Sequence, residues 1–244
     1  MFDFPPMLPQ EHIFPDPREE SSRDGLIAWG GDLHPDRVLE GYRVGVFPWF
    51  NPRDPILWWS PDPRTVLYTD SFKLSKSLRR VLRNSQYEVT FDRAFDRVIE
   101  NCAIRLREQE SSFKEVETWI GEDIKSAYKT LHKMGYAHSV EVWIDGVLAG
   151  GLYGVALGGA FFGESMFSLK SNSSKIALKA ISDVLNKRGY DFIDCQVKTN
   201  HLISLGAVEI SRARFLEELE EALSKRDDDV GSWSNLKWEY EDGR

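Results

Sequence analysis

Two polar side chains, those of Asp194 and Gln196, interrupt an apolar stretch at residues 192–197. Side chains two positions apart on a β-strand point to the same face, and buried polar groups need hydrogen-bond partners. This spacing predicts a carboxylate that orients an amide, with the amide facing a substrate. Cys195 lies between them and is expected on the opposite face, which argues against a nucleophilic role for its thiol.

A third candidate is Glu164, in the run GESMFS at residues 163–168. It ends an apolar stretch and is flanked by Gly163 and Ser165. A carboxylate at such a position is either a paired structural acid or the polar floor of a pocket. The residues themselves leave both interpretations open.

Five cations form a single-sign surface, the basic stripe, within a helix predicted over residues 71–84. Its members are Lys73, Lys76, Arg79, Arg80 and Arg83. At about 100° per residue they share about one-third of the helix circumference, opposite the leucines. A solvated helix face is the simplest explanation, but solvated faces usually mix signs. We therefore favour contacts with a nucleic-acid backbone, which position the nucleic acid without reading its sequence.

Several aromatic residues cluster near polar turns and offer faces on which a base can stack. They are Phe47, Trp49, Phe50, Trp58, Trp59 and Trp119. Core packing is the expected role for most of them, and the spacing does not distinguish the exceptions.

Several kinds of chemistry have no matching motif. The chain contains no GxxxxGK[ST], HExxH, GxSxG or GxGxxG run, and its five histidines show no ligand spacing, so we expect no metal site. The junction SLKSNSSK lacks the glycine-rich turn that would cradle a coenzyme A pyrophosphate. With two cysteines and no export signal, we expect free thiols in a reducing, cytoplasmic compartment.

The formal net charge of −8 excludes a cationic surface over the whole protein, but not a local basic patch.

Residues 146–163 are uncharged and resemble a membrane-spanning segment in length and hydropathy. Their many glycines would destabilise a helix, and Asp145-Gly146 is a hairpin signal, so we predict strands and no membrane association.

The order of elements predicts a mixed α/β (α+β) fold with helices on the faces of a sheet. We expect a small proline-rich N-terminal domain at residues 1–62, with a helix at 35–44, and a larger domain at 63–244. The larger domain is compatible with the N-acetyltransferase type. Residues 105–117 are expected to form a charged loop, and the acidic tail 226–244 to lack regular structure.

With these residues assembled, the sequence closely resembles the leucyl/phenylalanyl-tRNA–protein transferases. The resemblance runs in order from about residue 13 to residue 216. Its most specific stretches are WWSPDPR, GESMFS and DCQV, accompanied by GYRVGVFPWF, GGLYGVALG and HLISLGAVEIS.

The resemblance implies a small N-terminal domain followed by a domain of the N-acetyltransferase (GNAT) type. It implies transfer of Leu or Phe, and less well Met, from aminoacyl-tRNA to proteins that begin with Arg or Lys. This transfer would mark those proteins for N-end-rule degradation, without ATP, metal or coenzyme A. Nothing in the sequence signals an oligomer, so we expect a monomer.

Site residues follow from the matching motifs. Asp194, Gln196 and Glu164 would be catalytic, and the basic stripe would contact the tRNA backbone. Residues implied to bind the aminoacyl group and the 3′ adenosine are Trp49, Trp119, Leu152, Gly163, Ser165, Leu178, Ile181 and Ile193.

Three other functions are compatible with parts of this pattern. A tRNA-dependent peptidoglycan aminoacyltransferase would differ in its acceptor. A CoA-dependent N-acetyltransferase of the same fold would need the missing glycine-rich turn. A non-catalytic tRNA-binding protein would tolerate the loss of Asp194 and Gln196.

Overall fold

The proline-rich segment forms a three-stranded antiparallel sheet with one helix beside it. The computed structural model describes residues 5–19, 24–84, 86–109, 112–116 and 118–242. The strands are β1 (Leu26–Trp29), β2 (Phe47–Pro48) and β3 (Leu57–Trp59), in the order β1-β3-β2. Helix α1 (Pro35–Arg43) begins with proline, where the missing N–H costs no hydrogen bond. Trp58 is fully buried and, as predicted, supplies much of the local core.

The remainder is built on a seven-stranded mixed sheet. In sequence order, its strands are β4 (Arg64–Tyr68), β5 (Glu88–Phe91), β8 (Ala137–Ile144), β9 (Val147–Leu157), β10 (Ala160–Ser168), β11 (Phe192–Gln196) and β12 (Val208–Ile210). The spatial order is β12-β4-β11-β10-β9-β8-β5. Among the described strands of this sheet, β10 and β11 are the one pair that runs parallel, and α5 (Ser173–Lys187) makes the crossover that a parallel pair needs.

The remaining helices cover the sheet. They are α2 (Lys76–Asn84), α3 (Phe95–Ala103), α4 (Glu122–Lys133), α6 (Asn200–Ser204) and α7 (Arg212–Lys225). Helix α3 buries Phe95, Val98, Ile99 and Cys102, which recur at helical spacing and therefore share one face. The mixed α/β class with a small N-terminal unit is confirmed.

The glycine-rich run forms two central strands, as predicted. Asp145 and Gly146 turn the chain with φ values of 54° and 72°. At Gly154 a Cβ atom would lie 2.2 Å from the carbonyl oxygen of Phe162, so only glycine permits this strand pairing. Among the described residues, no helix is long and apolar enough to cross a membrane.

Two local predictions are wrong. Helix α2 begins at Lys76 rather than near residue 71, because Ser75 Oγ caps it by accepting from Leu78 N. The charged segment 105–117 contains an antiparallel pair, β6 (Arg105–Gln109) and β7 (Ser112–Val116), instead of a loop. The prediction for the tail is confirmed over its described residues, 226–242, which contain no helix or strand, although they bury Trp233 and Trp238 against the sheet domain.

Candidate active site

An apolar cavity of about 370 Å³ opens between α5, α6 and the adjacent strands β9, β10 and β11. Its lining includes Leu152, Tyr153, Phe161, Gly163, Glu164, Ser165, Met166, Leu178, Ile193, Cys195, Gln196, Val197, Thr199, His201 and Leu202. The lining is mostly hydrophobic, with a carboxyl and an amide as its convergent polar groups. This layout is typical of a site that encloses an apolar side chain and acts on the atoms beside it.

Glu164 lies at an irregularity of the β9–β10 ladder, which turns its side chain into the interior. Its Oε1 accepts from Tyr42 Oη at 2.7 Å and from Gln196 Nε2 at 2.7 Å. Tyr128 Oη lies within hydrogen-bond distance of Oε2, at 2.9 Å. Burial, together with the nearby Asp194, raises the pKa of Glu164 to about 7, although its hydrogen bonds oppose the shift.

Gln196 adopts a left-handed backbone conformation, with φ at 62°, where the β11–β4 register shifts. The side chains of β11 therefore do not alternate between the two faces of the sheet at this point, as they would on a regular strand. Asp194 Oδ1 accepts from the backbone N–H of Gln196 at 2.9 Å, while the Gln196 side chain turns to Glu164. The carboxylate thus holds the backbone of Gln196 rather than its amide group, contrary to the predicted side-chain contact.

The same irregularity brings Cys195 to the cavity, where the sequence predicted that it would point away. Burial raises the pKa of its thiol well above the usual range. A thiol that stays protonated is a poor nucleophile, so a nucleophilic role for Cys195 is still not expected.

Arg64 is the partner of Asp194, and both side chains are fully buried. Its Nε donates to Oδ1 at 2.9 Å and its Nη2 to Oδ2 at 2.6 Å. A third bond runs from Nη1 to the carbonyl oxygen of Gly45 at 3.2 Å. The rings of Phe47 and Phe215 lie against the guanidinium. Asp194 is therefore paired and enclosed rather than presented to a ligand.

Most residues expected around the donor side chain line the cavity. They are Leu152, Gly163, Ser165, Leu178 and Ile193. Ile181 does not line the cavity; its side chain is fully buried in α5 and packs in the core of the sheet domain.

The tryptophans expected at the 3′ adenosine differ in exposure. Trp49 is 42% exposed and meets Trp59 edge to face, with ring centroids 6.0 Å apart. Trp119 is half-buried and packs against the hydrophobic core. Trp49 thus offers an accessible ring of the kind that base stacking requires.

The basic stripe is divided by the start of α2. Lys76, Arg79, Arg80 and Arg83 lie on the helix, and Lys73 precedes it, where its backbone N–H donates to Leu205 O. The tail reaches this surface, since Asp242 pairs with Arg79 at 3.2 Å and with Arg83.

Sequence reasoning missed Arg64, Tyr42 and Tyr128. The two tyrosines lie on the buried faces of α1 and α4, where a phenol needs a hydrogen-bond partner, and that need was the available signal. It also missed a surface cluster of His12, His34 and Asp36, whose potential ligand atoms lie within 4.8 Å of one another.

Comparisons with known proteins match most of the chain to a single family. The family model described as "Leucyl/phenylalanyl-tRNA protein transferase" matches residues 66–220, and the model of that family's N-terminal domain matches residues 31–62. A relative from Syntrophobacter fumaroxidans named "Leucyl/phenylalanyl-tRNA--protein transferase" is 55% identical over 88% of this chain and 89% of its own. One of the same name from Syntrophotalea carbinolica is 52% identical over 88% and 91%.

A solved structure, "The structure of L-PGS from Bacillus licheniformis", is similar with a TM-score of 0.38 and 10% identity. The match covers 71% of this chain and 53% of the other. That likeness is too distant to decide the fold type, and the N-acetyltransferase assignment stays a prediction.

Fold, cavity and sequence relatives define the protein as an aminoacyltransferase. The chain belongs to the leucyl/phenylalanyl-tRNA protein transferase family.

Proposed function

We propose that the protein transfers Leu or Phe, and less well Met, from aminoacyl-tRNA to the α-amine of proteins that begin with Arg or Lys. The product carries a new N-terminal residue that marks it for N-end-rule degradation. The observation that carries this proposal is the apolar cavity ending at Gln196 and Glu164, in a chain of this family. An apolar donor side chain fits its hydrophobic lining.

The chemistry is aminolysis of an ester. A neutral α-amine attacks the ester carbonyl carbon, a C–N bond forms, and the bond to the 3′-oxygen of the tRNA breaks. The amine loses a proton and the leaving oxygen gains one. The ester is already activated, so the reaction needs no ATP, metal or coenzyme A.

Gln196 is the residue best placed to orient the amine. Its Nε2 donates to Glu164, so its Oε1 is left to accept a hydrogen bond from the attacking nitrogen. Asp194 and Arg64 act through position, because they fix the backbone turn at Gln196. Such positioning can supply a large part of the rate acceleration.

The donor tRNA would be held outside the cavity. Trp49 and Trp119 would contact the 3′ adenosine, and the basic stripe would contact backbone phosphates. We place the reaction in the cytoplasm, where charged tRNA is available, and we propose that the monomer is active.

The test mixes the purified protein with Leu-tRNA or Phe-tRNA labelled in the amino acid. One acceptor protein begins with Arg, and its matched control begins with Ala. We expect label on the Arg protein alone, without added ATP. Bound tRNA with no transfer to either protein would overturn the acceptor assignment and direct attention to cell-wall peptides.

A further inference from the structure

Three oxygen–oxygen contacts close a ring around Glu164. Tyr42 Oη lies 2.7 Å from Oε1, Tyr128 Oη lies 2.9 Å from Oε2, and the two phenol oxygens are in hydrogen-bond contact with each other. A contact of this kind is attractive only when one hydrogen lies between the two oxygens. The ring therefore needs three hydrogens.

The two phenols supply only two of them. Burial raises the pKa of both Tyr42 and Tyr128 well above the usual range, so each keeps its single hydrogen. If Glu164 were ionised, both phenols would donate their hydrogens to its carboxylate. No hydrogen would then lie between the two phenol oxygens, and their lone pairs would repel each other. The third hydrogen has one remaining source, the carboxyl group itself.

We propose that Glu164 is a neutral carboxylic acid in the resting enzyme, closed with Tyr42 and Tyr128 in a hydrogen-bonded ring that fixes the amide of Gln196. In this ring Oε2–H donates to Tyr128, Tyr128 donates to Tyr42, and Tyr42 donates to Oε1. The second lone pair of Oε1 accepts from Gln196 Nε2. Every polar atom of the ring is then satisfied, as a buried network requires.

The groups that face Glu164 agree with a neutral acid. Asp194 on β11 is an anion nearby, and its charge is matched by Arg64 on β4. Tyr153 on β9 is fully buried, and burial raises its pKa well above the usual range, so its phenol stays neutral. Among the described residues, the cation in this cluster is Arg64, and both of its carboxylate-facing nitrogens bind Asp194.

The ring changes the role of Glu164. A neutral acid offers no full negative charge to the basic side chain of an acceptor protein, so it does not serve as an anionic subsite. Glu164, Tyr42 and Tyr128 are positioning residues that determine which way the Gln196 amide faces. Tyr42 comes from α1, so the N-terminal segment helps to build the reaction centre. This role rests on the proposed function, whereas the protonation state does not.

Infrared spectroscopy tests the protonation state without any substrate. The wild-type minus Glu164→Gln difference spectrum is expected to show the carbonyl band of a protonated carboxylic acid at pH 6. The band should disappear as the pH rises above about 7. A difference spectrum that shows only a carboxylate at pH 6 would overturn the neutral acid, even if the protein transferred nothing.

Kinetics test the positioning role. An amide in place of the carboxyl keeps the ring, because it donates to Tyr128 and accepts from Tyr42. We expect kcat to fall less than about tenfold in Glu164→Gln and more than about a hundredfold in Glu164→Ala, with little change in the KM of the acceptor. The alkaline fall of kcat/KM should vanish in Glu164→Gln. Equal losses of kcat in Glu164→Gln and Glu164→Ala, or a large rise in the KM of the acceptor in Glu164→Gln, would overturn the positioning role of Glu164.

Tyr42→Phe and Tyr128→Phe each remove two of the three contacts of the ring while keeping the aromatic volume. Both are expected to lower kcat more than KM and to shift the infrared band of Glu164. Kinetics and a band position identical to the wild type would remove the tyrosines from the positioning role.

Discussion

Arg64 and Asp194 form a bidentate ion pair in which neither side chain has any solvent exposure. The pair joins β4 to β11 beside Gln196, and Asp194 also holds the backbone N–H of Gln196. A carboxylate with both oxygens engaged by a guanidinium is poorly suited to take a proton from a substrate. In the proposed reaction its contribution is to hold the backbone conformation of Gln196.

Removal of either charge of this pair leaves the other buried and unpaired. We expect Arg64→Met and Asp194→Asn each to lower the free energy of unfolding by about 3–5 kcal/mol, measured in urea. The double variant should lose less than the sum, because no unpaired charge remains. Additive losses would show that the two side chains act independently.

Glu164 should make stability depend on pH. Its pKa is about 7 in the folded protein, above the ordinary 4.5, so the folded state binds this proton more tightly than the unfolded state. The stabilisation is complete below pH 4.5 and is lost as the pH rises through 7. Glu164→Gln lacks this dependence.

The unfolding free energy of Glu164→Gln relative to the wild type is therefore expected to rise by on the order of 3 kcal/mol between pH 4.5 and pH 8. Glu164→Ala should show the same rise, offset downward by its lost contacts. A difference between Glu164→Gln and wild type that does not vary with pH would contradict the raised pKa.

Much of this molecule was accessible to sequence reasoning because its patterns are local. The period-3.6 face of α3 and the Asp145-Gly146 turn needed no tertiary information. The ladder irregularities at Glu164 and Gln196 were not accessible, because a left-handed residue within a strand has no signature when that residue is glutamine. Those irregularities determine which polar atoms are in contact. The sequence could therefore predict which residues belong to the site, but not the hydrogen bonds between them.

Cavity size should set the preference between donors. Leu178 lines the cavity from α5, and Leu178→Ala deepens it. We expect the ratio of kcat/KM for Phe-tRNA over Leu-tRNA to rise about tenfold, since the smaller donor loses more of its contacts. Ile176→Val is the matched control, because Ile176 is buried in the same helix away from the cavity. An unchanged ratio in Leu178→Ala would exclude this cavity as the donor pocket.

The basic stripe should contribute a salt-dependent share of tRNA affinity. Lys76→Ala and Arg80→Ala each remove an exposed cation from α2. Each should weaken Phe-tRNA binding and reduce the slope of log Kd against log salt by about 1, whichever tRNA is used. Lys133→Ala, an exposed cation on α4, should change neither quantity. Slopes equal to the wild type in both α2 variants would place the tRNA backbone elsewhere.

The tail should stabilise the fold, although its described residues, 226–242, contain no helix or strand. Trp233 is 2% exposed, its ring stacks on His138 with centroids 3.6 Å apart, and its backbone N–H donates to Asp92 at 2.7 Å. We expect Trp233→Ala to lower the unfolding free energy by about 3–5 kcal/mol, as large truncations of buried side chains do.

Trp49→Ala provides the comparison for that variant, because its ring is 42% exposed. It should cost less than about 1 kcal/mol of stability while raising the KM for aminoacyl-tRNA. The two tryptophans would then separate folding from substrate binding within one residue type. Equal losses of stability in both would mean that Trp49 is a core residue in solution, and the 3′ adenosine would need another stacking partner.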